Sequence, residues 1–159
     1  MFKVNRRTDY AVRVMLCLAK RPFGERISTQ TIQDEMLIPR PFLQRIIADL
    51  SRAGLLQTYP GPNGGLQLAH PASEVNLHAI WEAIDGPFAI SECIDAPQDC
   101  PLSSGCPVRR RWGRHQNQII SELKSSSLEV LVQEAEYLPS EDPLALEIPT
   151  IPSCLPVIK

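Results

Sequence analysis

The sequence predicts a mainly helical chain with one small β-hairpin and, beyond it, a long helix. Three observations predict it. Apolar residues recur at helical spacing in three segments before Gly54. The stretch LLQTYPGPNGGLQLA then sets two β-prone pieces around a turn-forming PGPNGG. Finally, VRRRWGRHQNQIISELKSS carries a further apolar stripe, over residues 107–124, that is too long to serve a small domain alone. Three helices followed by a hairpin make the winged form of the helix-turn-helix.

Each element follows from its residues. Residues 7–20 form the first helix, with Ala11, Val14, Met15 and Leu18 facing inward and Pro22 and Gly24 closing the segment. Cys17 lies within it as a small core residue. Ser28 caps a short second helix whose inner face is Ile32 and Met36. After the break at IPRP, Pro41 occupies the first turn of the third helix without losing a needed donor. Leu43, Ile46, Ile47 and Leu50 are its inward stripe, and Gly54 stops it. The hairpin pieces lie at residues 55–59 and 66–69. Val75 or Asn76 opens a fourth helix, with Ile80, Trp81 and Ile84 on one face and Gly86 at its end. In the helix over residues 107–124 the stripe is Trp112, Ile119, Ile120 and Leu123, and Gly113 weakens it by about 1 kcal/mol relative to alanine. Ser126 and Glu129 form a capping-box pair for a last helix containing Leu128, Leu131 and Val132. Three segments result: a winged helix-turn-helix domain over residues 1–75, a fourth helix with a cysteine loop and a long helix over 76–138, and a proline-rich extended tail over 139–159.

Composition places the chain among ordinary globular proteins: it is 43% hydrophobic and 21% charged. No apolar run reaches the roughly eighteen residues a membrane helix needs. Asp9 and Arg13 interrupt the apolar N-terminal stretch and no small-residue cleavage site follows, so a cytoplasmic location is expected. Charge is divided unevenly. Residues 1–75 hold ten Lys or Arg against six Asp or Glu, whereas residues 76–159 hold six against twelve. A basic half beside an acidic half points the first half at a polyanion.

In a winged helix-turn-helix the third helix enters the major groove. Subtracting its apolar stripe leaves Arg40, Phe42, Gln44, Arg45 and Arg52 outward. Arginine pairs with guanine, glutamine with adenine, and an aromatic ring meets a thymine methyl, while Arg52 near the helix end suits a phosphate. Ser28 and Thr29 stand where free helix amides meet phosphate, and Gly61, Pro62 and Asn63 form the tip of the wing. One chain offers one recognition helix, and two half-sites require a homodimer. The long helix, through Trp112, Ile119, Ile120 and Leu123, is the expected dimer interface.

Three of the five cysteines, Cys93, Cys100 and Cys106, crowd the stretch ECIDAPQDCPLSSGCPV. Their C-x6-C-x5-C spacing is looser than that of structural zinc sites. A disulfide would leave one cysteine over. An irregular loop of thiolates suits an iron–sulfur cluster, and reduced surface thiols remain the plain alternative. The residues alone leave these readings open.

Taken together, RTDYAVRVMLCLA, FLQRIIADLSRAGLL, GPNGGLQLAHPASEVNL, IDGP and the three-cysteine loop resemble the Rrf2 family of bacterial winged-helix regulators, from about Asp9 to Glu134. The resemblance implies a homodimeric transcription factor, a repressor of a double-stranded DNA operator, whose cluster state controls affinity. Relatives holding a 2Fe–2S cluster place histidine three residues after the third cysteine. Here Arg109 stands there and cannot coordinate iron, and His115 is about 13 Å from Cys106 along a straight helix. The nitric-oxide-sensing branch shares TDYAVR. By that likeness Cys93, Cys100 and Cys106 hold a 4Fe–4S cluster, more readily than 2Fe–2S, with Asp9 of the partner subunit as an oxygen ligand and Glu92, Asp95 and Asp99 as competitors for that place. Such a ligand binds iron more weakly than thiolate and suits a sensor of nitric oxide, redox state or iron supply. The chain departs from the family at Pro60, beside Tyr59, where relatives often carry an arginine that enters the minor groove.

Two other functions compete. One is a regulator of the same fold switched by cysteine oxidation without a cluster. The other is an iron–sulfur carrier or assembly protein that does not bind DNA. No Ser-His-Asp set, phosphate loop or paired-carboxylate pocket can be assembled, so an enzyme is not expected.

Overall fold

The structure, a computed structural model, describes residues 4–61 and 64–137. Its elements run α1 (Arg6–Ala19), α2 (Thr29–Met36), α3 (Arg40–Arg52), β1 (Leu56–Tyr59), β2 (Gly65–Leu68), α4 (Leu77–Asp85), α5 (Glu92–Asp95), α6 (Pro107–Ser125) and α7 (Leu128–Tyr137). A 3-10 turn, Pro97–Asp99, follows α5. The mainly helical winged helix-turn-helix is therefore present. The proline-rich tail, Cys154, and the wing-tip residues Pro62 and Asn63 lie outside the described residues.

Local chemistry explains most boundaries. The Asn5 side chain accepts the amides of Arg7 and Thr8 and starts α1, and Ser28 Oγ accepts the Thr31 amide at 3.0 Å to start α2. Between α2 and α3 the chain turns at Leu37, which adopts a left-handed conformation (φ 53°). Pro39 precedes α3 without a side-chain cap, and Pro41 sits in its first turn, where no amide is needed. Asn76 Oδ1 accepts the Ala79 amide and opens α4.

One hydrophobic core joins these pieces. Val14, Met15, Ile32, Leu43, Ile46, Leu50, Val75, Ile80 and Leu128 are all buried within it. The inward faces of the wing strands, Leu56, Leu66 and Leu68, close its lower edge. Each such side chain removed from water contributes about 1.5–3 kcal/mol, which is why α1 can act as the central post against α2, α3, α4 and α7. Strands β1 and β2 pair antiparallel with Leu56 opposite Leu68. Ile27 extends this sheet through two backbone hydrogen bonds with Leu66, at 2.9 and 2.8 Å.

The start of α7 is clamped to the start of α4. Leu128 N donates to Val75 O at 2.8 Å, and Leu77 N donates to Ser126 O at 3.0 Å. The expected capping pair is shifted: Ser127 Oγ, not Ser126, accepts the Val130 amide, while Ser126 Oγ donates back to Glu122 O as α6 ends. Serine at either position fits a cap, and the backbone pairing to α4 decides which one is free to serve.

Candidate nucleic-acid interface and cysteine loop

The two-turn advance from Arg40 to Gln44 to Ile47 puts these residues on one flank of α3. They line a cleft of ≈ 780 Å³ with Ser28, Thr29, Gln30 and Gln33 of the α2 segment and Thr58, Tyr59 and Gly61 of the wing. Recognition helix, helix-turn-helix entry and wing thus share one polar groove. Gly61 has φ 98°, a conformation that favours glycine, and lets the chain turn at the wing.

The remaining outward residues of α3 do not join that groove. Phe42, Arg45 and Arg52 lie on the other flank with Arg7, Ala48 and Asp49. There Asp49 Oδ2 receives Arg7 at 2.6 Å and Asp49 Oδ1 receives Arg52 at 3.0 Å, while Phe42 meets Tyr10 edge-on at 6.0 Å. Arg52 is thus partly neutralised by its own helix. Ile47, expected in the core, is only half-buried because it borders the groove.

Sequence reasoning missed Arg26. Its guanidinium lies over the Tyr59 ring, 3.7 Å from the centroid. The two residues are distant in sequence, and only the Ile27–Leu66 pairing brings them together.

The second region is the cysteine loop. Cys93, Cys100 and Cys106 are unpaired and half-exposed. Cys93 Sγ lies 3.1 Å from Ser91 Oγ, and Cys106 is the N-cap of α6, its sulfur accepting the Arg109 amide at 3.4 Å. Cys106 thus stands among the free amides at the start of a 19-residue helix. A cleft of ≈ 240 Å³ beside it is lined by Ile94, Ser103, Arg109 and Gly113. Among the described residues no group of three His, Cys, Asp or Glu side chains is arranged to hold a metal ion, so Asp9 and the three cysteines are not gathered within one protomer. Asp9 instead pairs with Arg13 at 2.9 Å in the first turns of α1. The donor types are those an iron–sulfur cluster takes, three free half-exposed thiols, but the described geometry does not gather them.

The loop is rooted in both neighbouring helices. Ile90 N donates to Gln116 Oε1 of α6 at 3.1 Å, and Trp81 packs edge-on against Phe88 at 5.2 Å. At the end of α4, Asp85 accepts both Asn5 Nδ2, at 2.8 Å, and the Thr8 hydroxyl. The root of the cysteine loop is therefore tied to the start of α1, one residue from the Arg7 that grips α3. Helix α6 itself buries no residue in the protomer: Val108 and Trp112 are exposed, Trp112 by 46%, and Ile119, Ile120 and Leu123 are half-buried. No helix among the described residues is long and apolar enough to cross a membrane.

A winged helix-turn-helix with a polar recognition groove defines a DNA-binding regulator rather than an enzyme. The comparisons agree. The Rrf2 family of iron-dependent transcriptional regulators matches residues 4–134, and the chain belongs to it. The chain is 32% identical to protein aau3 of Rhizobium meliloti (strain 1021), over 82% of this chain and 85% of that one. It is 29% identical to the HTH-type transcriptional regulator NsrR of Oceanobacillus iheyensis, over 82% and 90%. Among solved structures, CymR, described as the global cysteine regulator of B. subtilis, superposes with a TM-score of 0.70 at 23% identity, over 84% of this chain and 98% of that one. That last likeness is one of fold.

Proposed function

We propose that the chain is a cytoplasmic homodimeric repressor whose operator affinity follows the state of an iron–sulfur cluster, 4Fe–4S in preference to 2Fe–2S. Cys93, Cys100 and Cys106 would hold it, with Asp9 of the partner subunit as the fourth ligand. The observation that carries this reading is the setting of Cys106, a free thiol capping the helix that is also the exposed apolar face of the protomer. When bound, the cluster supplies a centre that reacts with nitric oxide or oxygen.

The protein's own residues convert that state into a change at DNA. Ordering the loop fixes Ile90 on α6 and Phe88 on α4. Asp85 then holds the start of α1 through Asn5 and Thr8, and Arg7 holds α3 through Asp49. With α6 facing its symmetry mate, this sets the separation of the two recognition helices. A hundredfold change in operator affinity needs only about 2.7 kcal/mol of difference between the two loop states. The ordered-loop state is the repressing one.

Replacing Cys100 by alanine tests this reading. The expected variant is colourless after anaerobic purification and binds its operator with altered affinity that no longer responds to oxidant. Wild-type colour, or wild-type redox response, would contradict it. The half-exposure of all three thiols favours one second reading, in which oxidation alone switches the loop. An anaerobically colourless wild-type chain that forms a disulfide between two of these cysteines would select it.

A further inference from the structure

The wing has no cation of its own: residues 55–69 contain neither Lys nor Arg, and Pro60 precedes the turn. Arg26 fills that gap from outside the hairpin. Ile27, its neighbour, is hydrogen-bonded on both sides to Leu66, so the Arg26 backbone is fixed at the edge of β2. The approach is close because residue 65 is glycine; a Cβ there would lie 2.7 Å from Ile27 O.

Tyr59, the platform under the guanidinium, is itself held. Its hydroxyl donates to Gln57 Oε1 at 2.8 Å and accepts from Gln67 Nε2 at 3.1 Å, and Gln67 Nε2 also reaches Gln57 Oε1 at 2.9 Å. Arg26 is exposed and takes part in none of the ion pairs among the described residues. A guanidinium lying on an aromatic face spends its π-surface on the ring and keeps its in-plane N–H donors free for an anion. Fixing the side chain in advance also lowers the ordering cost of any contact it makes. Tyr59 borders the groove that holds Arg40 and Gln44, so the stack stands at the rim of the surface that faces DNA.

We propose that Arg26, held on Tyr59, is the phosphate clamp of the wing, gripping the DNA backbone beside each half-site, with Tyr59 as its positioning residue. This rests on the DNA-binding reading of the winged helix-turn-helix. Bidentate phosphate binding adds affinity and register without reading a base.

The test titrates the full chain against two duplexes over a range of salt concentrations. One is recovered by the wild-type protein from a randomised library, and the other is a scrambled duplex of equal length. Arg26→Ala should bind both about tenfold more weakly, with the log–log salt slope reduced by about one for each half-site engaged. Tyr59→Leu should lose affinity in the same uniform way, and Tyr59→Phe, which keeps the ring face but loses the hydroxyl's bonds to Gln57 and Gln67, should lose less than Tyr59→Leu. Arg40→Ala serves as the control and should lose affinity for the selected duplex alone. Wild-type affinity and slope in Arg26→Ala, beside a loss in Arg40→Ala, would overturn the clamp and leave DNA binding intact. A loss in Arg26→Ala confined to the selected duplex would overturn the phosphate assignment in favour of base reading. A wild-type chain that binds neither duplex would overturn the DNA-binding reading itself, and the clamp with it.

Discussion

At Cys17 the thiol is fully buried on the inner face of α1 and donates to Glu35 Oε2 at 3.4 Å. Burial pushes its pKa up, and the neighbouring Glu35 carboxylate pushes it further. Arg21, 2.6 Å from Glu35, holds that carboxyl below the usual range, so the acid stays ionised and the thiol neutral. Cys93, Cys100 and Cys106 are instead half-exposed to solvent. Alkylation of the native, cluster-free protein followed by mass spectrometry should therefore modify Cys93, Cys100 and Cys106 while leaving Cys17 unmodified until the protein unfolds. Equal labelling of Cys17 would show that α1 opens far more readily than its packing implies. Residue by residue, the core of α1 was legible because Ala11, Val14, Met15 and Leu18 obey one period. The Arg26–Tyr59 stack was not, because no local pattern links a loop before α2 to the end of β1.

Elements with strong local signals matched expectation, the hairpin among them, whereas the serine that caps α7 was decided by pairing to a distant segment. Asn76, Ser28 and Pro41 announce helix starts through their own side chains. The two short turns within the cysteine loop, α5 and Pro97–Asp99, carry no such signal amid prolines. The outward face of α3 is legible in its sequence, yet its division into two flanks depends on the wing and on Arg7, which lie elsewhere in sequence. The wing depends on close backbone approach. Gly65→Ala would push a methyl group against Ile27 O and break the Ile27–Leu66 pairing at the edge of the sheet. The expected cost is about 1–3 kcal/mol in urea denaturation, with weaker DNA binding and a helical circular dichroism spectrum that stays near wild type. Unchanged stability would mean that the edge of β2 yields without cost.

For the whole molecule, the acidic second half and basic first half correspond to a division of work. The basic part carries the groove, while the later part carries the thiols and the exposed helix. Helix α6 leaves Val108 and Trp112 open to water, an arrangement suited to a second copy of the chain. The double variant Trp112→Asp, Ile119→Asp should be monomeric by light scattering at micromolar concentration. Losing the linkage of two half-sites should weaken operator binding by about a hundredfold or more. A variant that remains dimeric with wild-type affinity would place the interface elsewhere.

In the proposed regulator the loop at Cys93, Cys100 and Cys106 holds an iron–sulfur cluster in a DNA-binding dimer. The most direct test is iron and acid-labile sulfide analysis of the anaerobically purified full chain, with a visible spectrum of the same sample. About four of each per chain and a broad brown absorption are expected, both reduced in Asp9→Ala. A colourless, iron-free protein that still binds its operator would contradict the cluster and return the three cysteines to thiol chemistry.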